Sequence, residues 1–144
     1  MSRRIQIVIL LALIALISGC MLLPIPRFDY YAPAISGVIT RNEVPIENAQ
    51  IQVSTKYGDL ESKITTTGSD GHFSTESIRK FSPVTVVLGD FSSVYSLQII
   101  VDGKIYNGYL GAMSNGSSRE LKLRCELSHP SGLKRLSEQV YCED

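Results

Sequence analysis

Apolar residues are distributed along this chain in two different ways. Ile5 to Ile17 is an apolar run broken only by Gln6, directly behind the charged pair Arg3-Arg4. From Ile35 onward, apolar residues come singly or in short alternating groups, the period-two pattern of half-buried strands. Ser36-Gly37-Val38-Ile39-Thr40 is short, β-branched and flanked by turn residues, and reads as a strand. Arg41 to Pro45 is a polar connection ending in proline. Ala49 to Ser54 alternates strictly, which places Ala49, Ile51 and Val53 on one face. Tyr57-Gly58-Asp59 turns the chain, Lys63 to Thr67 is a threonine-rich strand, and Gly68-Ser69-Asp70-Gly71 is a tight turn. His72-Phe73-Ser74-Thr75 returns with Phe73 inward.

The second half continues in the same manner. Phe81-Ser82-Pro83 introduces Val84 to Leu88, a buried strand that Gly89-Asp90 breaks. Val94 to Val101 is the longest strand candidate, and Asp102-Gly103 is a strong hairpin signal before Lys104 to Leu110. Strict alternation there groups Ile105 with Asn107 and Tyr109, and Tyr106 with Gly108 and Leu110. Ala112 to Ser118 reads as a loop. Glu120 to Arg124 alternates again, with Leu121, Leu123 and then Cys125 inward. After His129-Pro130 the spacing of Leu133, Leu136 and Val140 changes to that of a short C-terminal helix, with Lys134-Arg135 on its solvated face.

The N-terminal segment has the layout of a secretory signal: a positive head, an apolar stretch, then the small residues Ser18-Gly19 before Cys20. Ile17-Ser18-Gly19-Cys20 resembles a bacterial lipobox. That resemblance implies cleavage between Gly19 and Cys20, diacylglycerol on the Cys20 thiol and a further acyl chain, commonly palmitate, on the freed amine. Each buried methylene contributes ~0.8 kcal/mol, so several chains hold a protein to a bilayer very stably. The rival reading is an uncleaved membrane helix, since Met21, Leu22, Leu23 and Ile25 extend the apolar character. Pro24 and Pro26 oppose a helix through that end. Residues 20–34 then form a proline-rich tether whose Leu22, Leu23, Ile25 and Phe28 would lie in the headgroup layer or pack on the domain. By resemblance to the sorting of enterobacterial lipoproteins, Met21 in place of aspartate implies the outer membrane, facing the periplasm.

Gly37-Val38-Ile39, then Val44-Pro45-Ile46-Glu47-Asn48-Ala49-Gln50-Ile51-Gln52-Val53, then Thr65 to Phe73 carry a second resemblance. They are similar to the carboxypeptidase regulatory-like domain: a glycine-initiated strand, a proline turn, an alternating strand, a threonine run and a D-G-x-F turn. The resemblance implies an all-β fold, a transthyretin-like (prealbumin-like) Greek-key β-sandwich of about seven strands, over residues 35–144. In the peptidases this domain is an appendage to a separate catalytic one, so it implies no active site.

Composition narrows the function. The 144 residues hold 14 basic and 14 acidic side chains, and cleavage before Cys20 removes Arg3 and Arg4, leaving a slight negative excess. No basic patch suited to nucleic acid is present. With Cys20 given to lipid, Cys125 and Cys142 remain, an even pair that reads as a disulfide in an oxidising compartment. The alternative is a metal site of those two cysteines with His129, although structural zinc takes four ligands.

Motifs for catalysis are sparse. Asp70 could suggest calcium, but an EF-hand loop needs several spaced oxygen ligands, and a simple turn accounts for it. His72 and His129 are the only histidines, and there is no Gly-x-Ser-x-Gly elbow, His-Glu-x-x-His or phosphate-cradling loop. Asn115-Gly116-Ser117 is most simply a turn. The resulting expectation is a lipid-anchored cell-envelope protein with no catalytic residue, no metal and no cofactor, whose sheet edges or end loops bind a protein or other envelope partner. Two other classes stay open: an accessory lipoprotein of a secretion or assembly machine, by likeness to the transthyretin-like lipoprotein of type VI secretion, and a small hydrolase related to hydroxyisourate hydrolase. The latter family carries a Tyr-Arg-Gly-Ser-like signature where this chain has Tyr141-Cys142-Glu143-Asp144.

Overall fold

The computed structural model describes residues 3–19, 22–23, 26–56, 61–83, 85–86, 92–114, 120–134 and 138–144. In chain order its elements are α1 (Arg3–Gly19), β1 (Leu22–Leu23), β2 (Arg27–Ala32), β3 (Ile35–Arg41), β4 (Val44–Pro45), β5 (Gln50–Thr55), β6 (Ser62–Thr66) and β7 (His72–Thr75). These are followed by β8 (Ile78–Ser82), β9 (Thr85–Val86), β10 (Ser92–Val101), β11 (Lys104–Ser114), β12 (Leu121–Glu126), β13 (Gly132–Lys134), β14 (Glu138–Val140) and β15 (Cys142–Glu143). The chain divides into two units. One comprises Met1–Asp29 and Phe81–Asp90, the other Tyr30–Lys80 and Phe91–Asp144.

The second unit is an all-β sandwich. One sheet runs β11-β10-β5-β6; the other runs β15-β12-β3, with β4 and β7 both paired to the far side of β3. Seven strands do most of the work: β5, β6, β10 and β11 in one layer, β3, β7 and β12 in the other. The chain changes layer between β3 and β5, between β6 and β7, between β7 and β10, and between β11 and β12. β12 returns parallel to β3, Leu121 opposite Ile35 through Glu126 opposite Thr40. This is the all-β sandwich that the family resemblance implied. The core lies between the layers: Ile35, Ile39, Ile51, Val53, Leu97, Ile99 and Cys125 are all buried. Phe73 is buried as anticipated, and Ala32 and Pro33 are also buried, so packing begins just ahead of β3.

Several elements depart from simple alternation. β11 continues to Ser114, so Ala112 belongs to a strand and not to a loop. Its register against β10 shifts between Leu97 and Gln98, which leaves Gly108 as an extra residue. The bulge exchanges the two faces. Tyr106 and Gly108 point inward, but beyond them Tyr109 and Met113 take the inner positions and Leu110 turns outward. A Cβ on Gly108 would collide with a Leu97 methyl and lie 3.2 Å from the Cys142 sulfur. The expected C-terminal helix is replaced by a hairpin of β13 and β14, Gly132 opposite Val140. Ser131 donates to the Val140 carbonyl, and the Tyr141 N–H donates to Asn107 of β11. β13 and β14 satisfy each other's backbone groups and Tyr141 ties them to β11, so tertiary pairing overrides the helical spacing.

At the β10–β11 turn, Asp102 and Gly103 both take positive φ (52° and 76°), the pair a two-residue hairpin demands. The Tyr57-Gly58-Asp59 turn, the Asn115-Gly116-Ser117 turn and most of the Val84–Leu88 strand lie outside the described residues. In the other unit, α1 spans 17 residues and β1 pairs with β9, Leu22 opposite Val86. Among the described residues no helix is long and apolar enough to cross a membrane.

Candidate interaction surface

The residues singled out by sequence fall in three places. Gly19 ends α1, and Cys20 lies outside the described residues. Cys125 and Cys142 are joined in a disulfide, buried at 0% and 4% exposure. They sit opposite each other on β12 and β15, so the strand register brings them together. The thiols are consumed in that bond, which removes the alternative metal site with His129, and no cluster of metal ligands exists among the described residues. Asp70 accepts a hydrogen bond from the His72 N–H at 3.0 Å, which makes it the side chain of a turn.

One cluster escaped sequence reading. Glu126, at the end of β12, gathers donors from three segments. Its carboxylate accepts from the Asn42 N–H at 2.9 Å, the Glu43 N–H at 3.2 Å and the Thr40 hydroxyl at 2.8 Å. Both the N–H and the hydroxyl of Ser128 also donate to it. Asn42 and Glu43 have positive φ, so their N–H groups converge on one point, as in an anion nest. Partial burial works to raise the Glu126 pKa. The hydrogen bonds from Ser128, Thr40 and Glu43 outweigh it and bring the value down to about 2. An internal carboxylate thus fills the nest and fastens the β3–β4 turn to β12. Nearby, Arg41 reaches the Tyr106 hydroxyl at 3.4 Å and Asp102 at 3.9 Å, an exposed pair of small energetic weight.

A second buried polar device holds the segment that follows the β3–β4 turn. The Thr67 hydroxyl donates to the Ile46 carbonyl at 2.7 Å and accepts from the Ala49 N–H at 2.9 Å, clipping the turn before β5. Tyr95 is buried against Tyr109, with ring centroids 6.3 Å apart. Its burial, then the charges of Tyr109 and Asp144, push its pKa up to about 12, so it stays a neutral phenol.

The solvent faces of the two sheets differ in kind. On β15-β12-β3-β7, one row is Glu143, Arg124, Val38 and His72, and the next is Lys122, Ser36 and Ser74. Glu120 accepts from the Ser36 hydroxyl at 3.2 Å. A shallow groove of about 620 Å³ runs over this charged face. On β6-β5-β10-β11 the rows are Thr66, Gln50, Ile100, Ile105; then Ile64, Gln52, Gln98, Asn107; then Ser62, Ser54, Ser96, Leu110. None of these carries a charge. Ile64 and Ile105 are 59% and 61% exposed. β6 ends its sheet, so one side of its backbone has no ladder partner among the described residues. Lys63, on that edge, pairs with Glu76 at 3.0 Å.

Fold and surface together define an all-β sandwich module with an uncharged face and an open edge. The chain belongs to a family described as a domain of unknown function, DUF6795, whose family model matches residues 35–130. No curated protein matches it.

Proposed function

We propose that this protein is a lipid-anchored, non-catalytic binding module of the bacterial cell envelope, held to the outer membrane through acyl chains on Cys20 and facing the periplasm. The observation that carries this reading is the order Arg3–Gly19 helix, Ser18-Gly19, Cys20: a short apolar helix ends one residue before the cysteine of a lipobox-like sequence. The buried disulfide fits the same compartment. The seven-strand sandwich supports the resemblance to the carboxypeptidase regulatory-like domain, and with it a role in recognition. Glu126, the most perturbed carboxylate, is committed to holding a turn, which favours a structural duty over an acid–base one.

The binding surface is the uncharged face with its β6 edge. An extended segment of an envelope protein would add to β6, its backbone paired to the strand and its side chains over Ile64 and Gln52. Globomycin, which blocks lipoprotein signal cleavage, tests the anchor. Treated cells should accumulate a precursor larger by residues 1–19, and an unchanged mobility would reject the reading.

A further inference from the structure

We infer that Phe28 and Phe81 form a second contact with the bilayer, seating in the headgroup layer beside the acyl anchor; this rests on the reading of Cys20 as the acylated residue. The two rings lie edge to face with centroids 5.6 Å apart. They touch each other and still remain 50% and 55% exposed, which is unusual for a pair of phenylalanines in water. Both belong to the unit formed by Met1–Asp29 and Phe81–Asp90.

Chain position selects the occupant. Phe28 follows Cys20 by eight residues, at most about 30 Å of extended chain, so an acylated Cys20 keeps the rings within reach of the membrane surface. Leu22 and Leu23 lie between them. Arg27 precedes Phe28, Asp29 follows it, and Lys80 precedes Phe81. Cations next to exposed aromatic rings match an anionic headgroup layer, where the rings leave water and the charges stay at the phosphates. Retention comes from the acyl chains. The rings fix how the segment leaves the bilayer.

The chain has no tryptophan, so Phe28→Trp and Phe81→Trp each introduce a sole fluorophore. Ile105→Trp, at a 61% exposed position in the β10–β11 hairpin, is the reference. The acylated protein is placed in phosphatidylethanolamine–phosphatidylglycerol vesicles carrying bromines at shallow acyl positions. F28W and F81W should emit to the blue and lose most of their emission to the bromines, while I105W stays red and unquenched. Emission from F28W and F81W as red and unquenched as that of I105W, with acyl chains confirmed on Cys20 by mass spectrometry, overturns the second contact and leaves the anchor standing. Blue emission without bromine quenching overturns it too, because protein then covers the rings. A Cys20 without acyl chains overturns the anchor and this inference together. Hydroxyl-radical labelling of the unsubstituted protein gives the same reading without a variant: vesicles should protect Phe28 and Phe81, and unchanged labelling counts against the contact.

Discussion

The two sheets present matching inner faces and contrasting outer ones. Inside, both bury β-branched and aliphatic side chains in alternation: Ile35 and Ile39 on β3, Ile51 and Val53 on β5, Leu97 and Ile99 on β10. Outside, β12, β3, β7 and β15 show water Lys122, Arg124, His72 and Glu143, while the outward rows from Ser62 to Thr66 on β6 and across β5, β10 and β11 hold only serine, threonine, amide and aliphatic groups. Folding requires the inner match, since each layer must remove its apolar side from water against the other. It does not require the outer contrast. A solvated sheet face is normally laced with charge, which also discourages edge-to-edge association. The uncharged face, ending in an open strand with exposed Ile64, is the surface that the proposed partner would cover.

The shared interior should give the largest effects. Ile99 is fully buried between the layers, and Ile99→Ala should cost about 2–5 kcal/mol in a denaturant titration, destabilising both sheets in one transition. Separate transitions for the two layers would break the picture of a common core. Next comes the staple on the charged sheet. Cys125 and Cys142 are 17 residues apart, so Cys125→Ser with Cys142→Ser should lower stability by about 3 kcal/mol, read as a fall in the urea midpoint under oxidising conditions. Under full reduction the natural protein should match the double variant.

Glu126, next to Cys125 on β12, adds a pH-dependent contribution to the same sheet. Its pKa is about 2 in the fold against an ordinary 4.5. The folded state therefore favours the carboxylate, and the associated stability is complete above pH ~4.5 and is lost as pH falls toward 2. Glu126→Gln should remove that acid limb and cost about 1 kcal/mol at neutral pH, a modest figure because the carboxylate is only half-buried. An acid titration identical in the two proteins would deny Glu126 its role in fastening the turn.

The smallest effect on stability carries the most information about function. Gln52→Lys with Gln98→Lys places charge at the centre of the uncharged face, and Lys122→Gln with Arg124→Gln removes it from the other. Both pairs should stay within about 0.5 kcal/mol per substitution of the natural protein. A photocrosslinker at Ile64 should capture a partner in intact cells, and only the lysine pair should abolish that capture. Equal loss from the two pairs would remove the distinction between the faces.

Most of the inner architecture was legible because burial imposes period two. Ala49, Ile51 and Val53 needed no tertiary information, and Asp102-Gly103 announced its own hairpin through the φ values the turn requires. The failures have one physical source. At Gly108 a bulge exchanged the faces, so Leu110 went outward and Tyr109 inward; nothing local signals a bulge except the glycine itself. At Val140 pairing with β13 turned a helical spacing into a strand. The Glu126 nest joins Thr40, Asn42 and Glu43 to residues more than 80 positions away, so no spacing rule could have revealed it. Of the surface, Lys122 and Arg124 could be assigned outward from alternation, but the alignment of uncharged outward positions on four neighbouring strands into common rows emerged only once the strand order was known.

The anchor is the claim on which the functional account turns, and the mass of the N-terminal peptide from membrane-extracted protein measures it. The account predicts a peptide beginning at Cys20 whose mass exceeds its sequence by diacylglycerol and an amide-linked acyl chain. A peptide that retains residues 1–19, with an unmodified Cys20 thiol, would contradict it.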